Sequence, residues 1–491
     1  MTTLNPAIAG AAGVPSASTA DPRAHPLVVA YLGIGALVFL LMMLLGVLMR
    51  LSQAGYVPLP PDLFYQVMTA HGVGLVGISG LATTAIMWHF LSKHVRLTPA
   101  VMAANLALFL LGVAMILAAI FVGGFAAGWT FLYPLPVVSG GAWSRDIAAL
   151  YLGGLLIVGT GFLVFFLDAG RAVIAAYGGL GRALGWPLLF TGRGEAPPAA
   201  VVAGTMVIII DVLGIVSGAA VLSINLINAF VPSFHIDALL AKNLIFFFGH
   251  VFINSTIYMA VIAVYAILAG ATGRPWPVNR VFLAAWTAST LLVLVVYPHH
   301  LLMDFVMPKW ALVLAQVLSY ASGLPVLVVT AFGALAIVHQ SGIRWTAASA
   351  LVFLSMFGWS AGVVPAVVDA TIAANAVLHN TLWVPGHFHF YLLLGVTAMV
   401  FGFMYHLVEG KGAFATLDRL AVAAFALGGV GLVATFLYAG KEGVPRRFAV
   451  HLPEWLPYDR IGSLFAVVVV LAAAVFVLRF LGGVPRLIAG R

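Results

Sequence analysis

The stretch HNTLWVPGHFHF, residues 379–390, places His387 and His389 at the opening of a long apolar run. A helix turns 100° per residue, so two imidazoles at i and i+2 point ~200° apart, to opposite faces. One metal cannot be chelated by both, whereas two metals or two hemes, one on each side, can. Further out, YPHH (297–300) closes another apolar run. Pro298 breaks regular helix geometry there, so the adjacent imidazoles of His299 and His300 could both reach one metal. His250, in FFFGHVFIN (246–254), lies deep in an aromatic run, and with the pair it makes a three-histidine set suited to copper or non-heme iron. His71, in TAHGVGL (69–75), has a neighbouring glycine that would let a flat macrocycle approach. A lone buried histidine is usually satisfied by a hydrogen bond. Six of them in apolar surroundings, where an imidazole is costly and is a common ligand, point to a redox metal centre.

Composition supplies the setting. The chain has 491 residues, 63% hydrophobic and 7% charged, against about 25% charged in soluble domains. A soluble fold is excluded. The net charge of +8 is spread over many short loops, which fits membrane topology and not nucleic acid. With no cysteine, the chain itself holds no disulfide, iron–sulfur cluster, thiolate metal site or covalent heme c. The segment 1–26, rich in Ala, Gly, Ser, Thr and Pro, lacks the parts of a signal peptide and reads as a mobile tail.

A ~30 Å hydrocarbon core takes about 20 apolar residues of helix. Twelve runs qualify: 27–50, 69–92, 98–127, 147–168, 199–222, 239–268, 279–297, 308–338, 345–374, 386–408, 417–439 and 461–482. The expected fold is therefore an all-α integral membrane domain over 27–482, with 483–491 as a cytoplasmic tail. An even count puts both termini on one side. With the N-terminus cytoplasmic, fourteen Lys and Arg fall inside and eight outside, four of those eight (Lys441, Arg446, Arg447 and Arg460) in one loop. The positive-inside rule favours that orientation. His71, His387 and His389 then open runs at their outer ends and His299 and His300 close one. His250 lies ~16 Å into another. All six fall in the outer half of the membrane.

On these segments the chain resembles the catalytic subunit I of heme–copper oxidases, most closely the B-type branch. The carrying stretches are TAHGVGL, GWTFLYPLP (128–136), DALLAKNLIFFFGHV (237–251), YPHH, HNTLWVPGHFHF and GVPRRF (443–448), over nearly the whole chain. The resemblance implies two hemes and a second metal, copper or non-heme iron. His71 and His389 would be the axial ligands of a low-spin heme and His387 the proximal ligand of a high-spin heme. His250, His299 and His300 would hold the second metal, usually called CuB. Arg446 and Arg447 look like the partners of the heme propionates, which paired guanidiniums match well. His379 and Asn380 belong beside them. The family also implies an electron-input subunit on the outer face, carrying a CuA centre or heme c, a cytochrome c-type donor, and a bacterial cytoplasmic membrane.

One position departs from the pattern. B-type oxidases carry a tyrosine at i+4 from the first copper ligand, cross-linked to a ligand histidine, which supplies an electron and a proton for splitting O2. Here that residue is Asn254. Tyr258 lies a further turn on, about 6 Å along the helix, and Tyr297 could substitute from another helix. Joining two NO molecules needs no such tyrosine, and some members of the superfamily are nitric oxide reductases with a polar residue in its place. Asn254, on the His250 face, could ligate the metal or bond NO. The expected reaction is NO reduction to N2O, with O2 reduction to water as the alternative. A twelve-helix transporter with a histidine proton relay, and a non-catalytic heme-holding subunit, are the competing classes. Asp211, Asp369 and Lys242 are the other ionisable candidates within the membrane, as parts of a proton path, with a place near the propionates as the alternative for Asp369.

Overall fold

The computed structural model describes residues 24–409 and 414–489. Of the expected N-terminal tail only Ala24–Pro26 is described, and the end of the expected C-terminal tail, 490–491, also lies outside the described residues. Twelve helices are long and apolar enough to cross a membrane: α1 Pro26–Gln53, α2 Pro61–Leu91, α3 Pro99–Phe121, α4 Arg145–Tyr177, α5 Ala199–Phe230, α6 Ala238–Thr272, α7 Arg280–Leu301, α8 Lys309–Val338, α9 Ala347–Asp369, α10 Trp383–Val408, α11 Thr416–Lys441 and α12 Pro453–Ile488. Each overlaps one of the twelve apolar runs. Among the described residues there is no strand, only one isolated bridge between Thr381 and Pro445. Helices suit a lipid setting because each satisfies its own backbone groups.

Local chemistry sets the ends. Proline stands in the first turn of α1, α2 and α3, where a missing N–H costs nothing. Asp237 caps α6 by accepting from Leu240 N at 2.7 Å. Consecutive helices α1–α2, α3–α4, α4–α5, α5–α6, α9–α10 and α11–α12 pack on one another, and α12 packs back on α1, closing the bundle.

Several helices outrun their apolar stretches. α2 begins at Pro61, so His71 lies ten residues inside it and does not open it. α12 continues to Ile488, so most of 483–491 prolongs that helix. α8 is two pieces, Lys309–Ser322 and Leu324–Val338, joined at Gly323 just before Pro325. α7 ends in a tight 3-10 turn, Tyr297–Leu301, which carries Pro298 and both histidines. In α10, Trp383–His389 is α-helical, Phe390–Thr397 is a π segment and Ala398–Val408 is α-helical again. A π segment directly after the two histidines shifts their phase against the rest of the helix, a feature common at functional sites.

Candidate metal centre

Four of the six ligand candidates lie on strongly enclosed helices, and His299 and His300 end α7, which is 44% buried. In α6, 83% of the apolar window is buried, and in α2 and α10 72%. Yet His71, His250, His387 and His389 are only half-buried, as are His299 and His300.

His250, His299 and His300 converge. Their nitrogens all lie within 4.8 Å of one another. His300 Nε2 is 3.1 Å from His299 Nε2 and 3.4 Å from His250 Nδ1. Metal–nitrogen bonds of about 2.0–2.1 Å at tetrahedral angles hold nitrogens roughly 3.3 Å apart. The spacing therefore fits one cation. Pro298 and the 3-10 turn bring the adjacent pair to bear on one point, and α6 brings His250 to it from twelve residues inside the helix. His300 is steadied by Phe246, stacked on it at 5.4 Å.

The other three histidines share a different arrangement. His71 Nδ1 bonds the Met42 carbonyl at 2.7 Å, and His389 Nδ1 bonds the Pro385 carbonyl at 2.7 Å. A carbonyl accepts only, so Nδ1 of each ring carries the proton and Nε2 keeps its lone pair. That is the tautomer an axial ligand needs. Gly46 of α1 lets the His71 ring lie against the helix, since a Cβ there would stand 2.8 Å from His71 Cε1. At Gly72 a Cβ would meet Trp129 Cδ1 at 2.7 Å, so this glycine makes room for an indole. His387 Nδ1 faces a carboxylate, Asp369 Oδ2, at 3.3 Å.

The loop 443–448 lies against the chain entering α10. Arg446 N donates to Asn380 O and Leu382 N to Val444 O, each at 2.9 Å. Arg446 is half-buried, and its Nε is buried with no partner. Burial, then Arg447, pushes its guanidinium down to about 10, still cationic at neutral pH. Arg447 holds a left-handed backbone (φ 65°) and donates to Thr130 Oγ1 at 3.2 Å. Burial, then Arg446, holds the His379 imidazole below its usual value, so it is neutral there. An orphaned cationic nitrogen suits a bound carboxylate, such as a heme propionate.

The remaining candidates are placed elsewhere. Asn254 lies behind His250: its Nδ2 is 3.3 Å from His250 Nε2 and donates to the His250 carbonyl at 2.8 Å. That is the ring nitrogen away from the cluster. The Tyr297 hydroxyl donates to Asn243 Oδ1 at 3.0 Å, and Tyr258 is buried beside Trp286 and Trp359. Asp211 accepts from Ser255 Oγ at 2.7 Å. Lys242 pairs with Asp304 at 2.6 Å.

One cluster escaped the sequence reading. Arg50, counted as a loop charge, is buried in α1. It pairs with Asp459 at 2.6 Å, and Asp459 also bonds His451 Nδ1 at 2.7 Å. The Arg50 guanidinium lies 5.1 Å from the Phe436 ring centroid, and that ring is 5.4 Å from His389. The only sequence signal was a single arginine ending an apolar run.

Comparison with known proteins bears on the family and the fold. A family model described as Cytochrome C and Quinol oxidase polypeptide I matches residues 26–480. The cytochrome c oxidase subunit 1 of Thermus thermophilus is 26% identical over 279 residues, 52% of this chain and 49% of that one. The heme-copper oxidase subunit I+III of Aeropyrum pernix is 24% identical over 50% of this chain and 30% of that one. These matches therefore span half or less of either relative's length. The cytochrome c oxidase subunit 1 of Synechocystis sp. is 22% identical over 85% of this chain and 75% of that one. A solved heme-copper terminal oxidase dimer shares the fold at a TM-score of 0.77 and 20% identity, covering 96% of this chain and 84% of that chain.

Proposed function

Because the chain belongs to the cytochrome c and quinol oxidase polypeptide I family, we propose that it is the catalytic subunit of a membrane respiratory reductase that turns NO into N2O. The observation that carries the choice of substrate is Asn254, an amide at the turn below His250 where the B-type pattern has a tyrosine. The Tyr297 hydroxyl is committed to Asn243. No tyrosine hydroxyl among the described residues is hydrogen-bonded to the three-histidine cluster. Four-electron cleavage of O2 draws on an electron close at hand, and a phenol is the usual source. Coupling two NO molecules takes two electrons and two protons, and no O–O bond is broken.

His71 and His389 would hold a low-spin heme, His387 a high-spin heme, and His250, His299 and His300 the second metal, copper or iron. When bound, these groups supply one-electron chemistry and a place where two small molecules meet. The chain's own residues do the positioning. Met42 and Pro385 fix the tautomers of His71 and His389 through their carbonyls. Asn254 packs behind His250, donating to its backbone carbonyl, and a ring ligating through Nδ1 would carry its proton on Nε2. Arg446 and Arg447, with neutral His379 nearby, would take the propionates. The electron-input subunit, with its CuA centre or heme c, would dock over this loop and receive electrons from a cytochrome c-type donor. We place the 443–448 loop outside and both termini in the cytoplasm, in a bacterial cytoplasmic membrane.

The test is a pair of electrode assays on the purified complex with one reduced donor. NO consumption with N2O formation should clearly exceed O2 consumption. Fast O2 uptake with negligible N2O would restore the second reading, an oxidase, which the names of the relatives favour. A histidine–tyrosine cross-link in that case would show which tyrosine had been recruited.

The arginines allow a second check. Replacing Arg446 and Arg447 together with glutamine removes two positive charges beside the propionates. The potential of the low-spin heme should fall, because the reduced form loses electrostatic support. An unchanged potential in a redox titration would exclude contact.

A further inference from the structure

Three of the six histidines have their Nδ1 tied to an acceptor, and one of the three ties differs. His71 and His389 bond neutral backbone carbonyls. His387 faces the carboxylate of Asp369, Nδ1 to Oδ2, at 3.3 Å. Asp369 is in a costly place. It closes α9, where the helix dipole is negative and repels an anion, and its side chain is only 14% exposed. Pro365, one turn earlier, removes a helix hydrogen bond and frees the last turn to bend. The Trp383 indole donates to the Pro365 carbonyl at 3.2 Å, tying this turn to the start of α10. Asn375 Nδ2 donates to the Asp369 backbone oxygen at 2.6 Å and lies 3.4 Å from Oδ1. No lysine or arginine forms a salt bridge with the carboxylate among the described residues. The chain thus holds a carboxylate against a helix end and aims it at one imidazole.

We infer that Asp369 is the positioning residue of His387, fixing its ring and making its Nε2 a stronger donor to the metal it binds than those of His71 and His389. This rests on the reading of His387 as the high-spin heme ligand. A carboxylate accepts the Nδ1 proton more strongly than a carbonyl does, which raises the basicity of the opposite nitrogen. A more basic ligand stabilises the oxidised iron. The high-spin heme is therefore held at a lower potential than a carbonyl partner would set, and its iron–histidine bond is stiffer. The difference between the two heme sites is built by one side chain that touches neither heme ligand of the other site.

The experiment is resonance Raman spectroscopy of the fully reduced complex, with a redox titration of both hemes. Asp369→Asn removes the charge and keeps the shape. It should shift the iron–histidine stretching band to lower frequency and raise the potential of the high-spin heme alone. An unmoved band and potential, with two hemes present, would overturn the inference. A purely structural role would leave the band where it is. If D369N loses the high-spin heme, Asp369→Glu decides. Heme retained with a displaced band supports the inference, and heme lost there too, as from a misfolded site, overturns it. His387→Gly separates the two layers. An intact high-spin heme with its band unchanged in that variant would refute the ligand assignment itself, whereas an unmoved band in D369N with His387 required refutes only the role of Asp369.

Discussion

Alanine in place of His389 should abolish the low-spin heme spectrum while the high-spin heme and the second metal remain. His389 offers a single free nitrogen, because its Nδ1–H is spent on the Pro385 carbonyl. The ring is wedged between Phe388, stacked at 5.0 Å, and Phe436 at 5.4 Å, which hold in place the nitrogen that would face the iron. A low-spin heme needs two strong axial ligands, and alanine leaves only His71. His71→Ala should have the same effect from the other side. The opposite-face argument adds a sharper expectation: His387→Ala, two residues away, should remove the high-spin spectrum and leave the low-spin one. Reduced-minus-oxidised spectra of the three variants make the comparison. A low-spin band that survived loss of either His71 or His389 would dismantle the assignment.

The second large effect is expected at His300. Its Nε2 is the central nitrogen of the cluster, 3.1 Å from one partner and 3.4 Å from the other. Alanine there leaves two ligands. Changes to residues that merely support a ligand cost roughly 10–100-fold in metal affinity, so losing a ligand should cost more than the upper end of that range. Elemental analysis should find the second metal gone, both hemes present and turnover lost. Retained metal at wild-type occupancy would show that His250 and His299 suffice and that the three do not act as one site.

The twelve spans and the six ligand candidates were legible because both rest on local rules. Apolar length marks a crossing helix, and the i, i+2 spacing of His387 and His389 sets their faces whatever surrounds them. What escaped was what hydropathy cannot carry. The first ten residues of α2 include Asp62 and Gln66, so a transfer scale ends the run before the helix ends. Gly323 splits α8 inside a continuous apolar stretch. The π segment after His389 has no sequence mark. The pairing of Asp369 with His387 joins residues 18 apart on two helices, and the Arg50–Asp459 pair joins residues 409 apart. Asp369 was read as a proton-path candidate or a group near the propionates, and its link to the His387 ring had no sequence mark. These partnerships are made by packing.

The central claim is that one chain builds three neighbouring sites, two for hemes and one for a further metal. The most direct test is the stoichiometry of the purified complex, by pyridine hemochrome assay and elemental analysis. Any heme c on a partner subunit is counted separately by its covalent attachment. The account predicts two non-covalent hemes and one additional metal ion per chain. A single heme, or two hemes with no further metal, would contradict it.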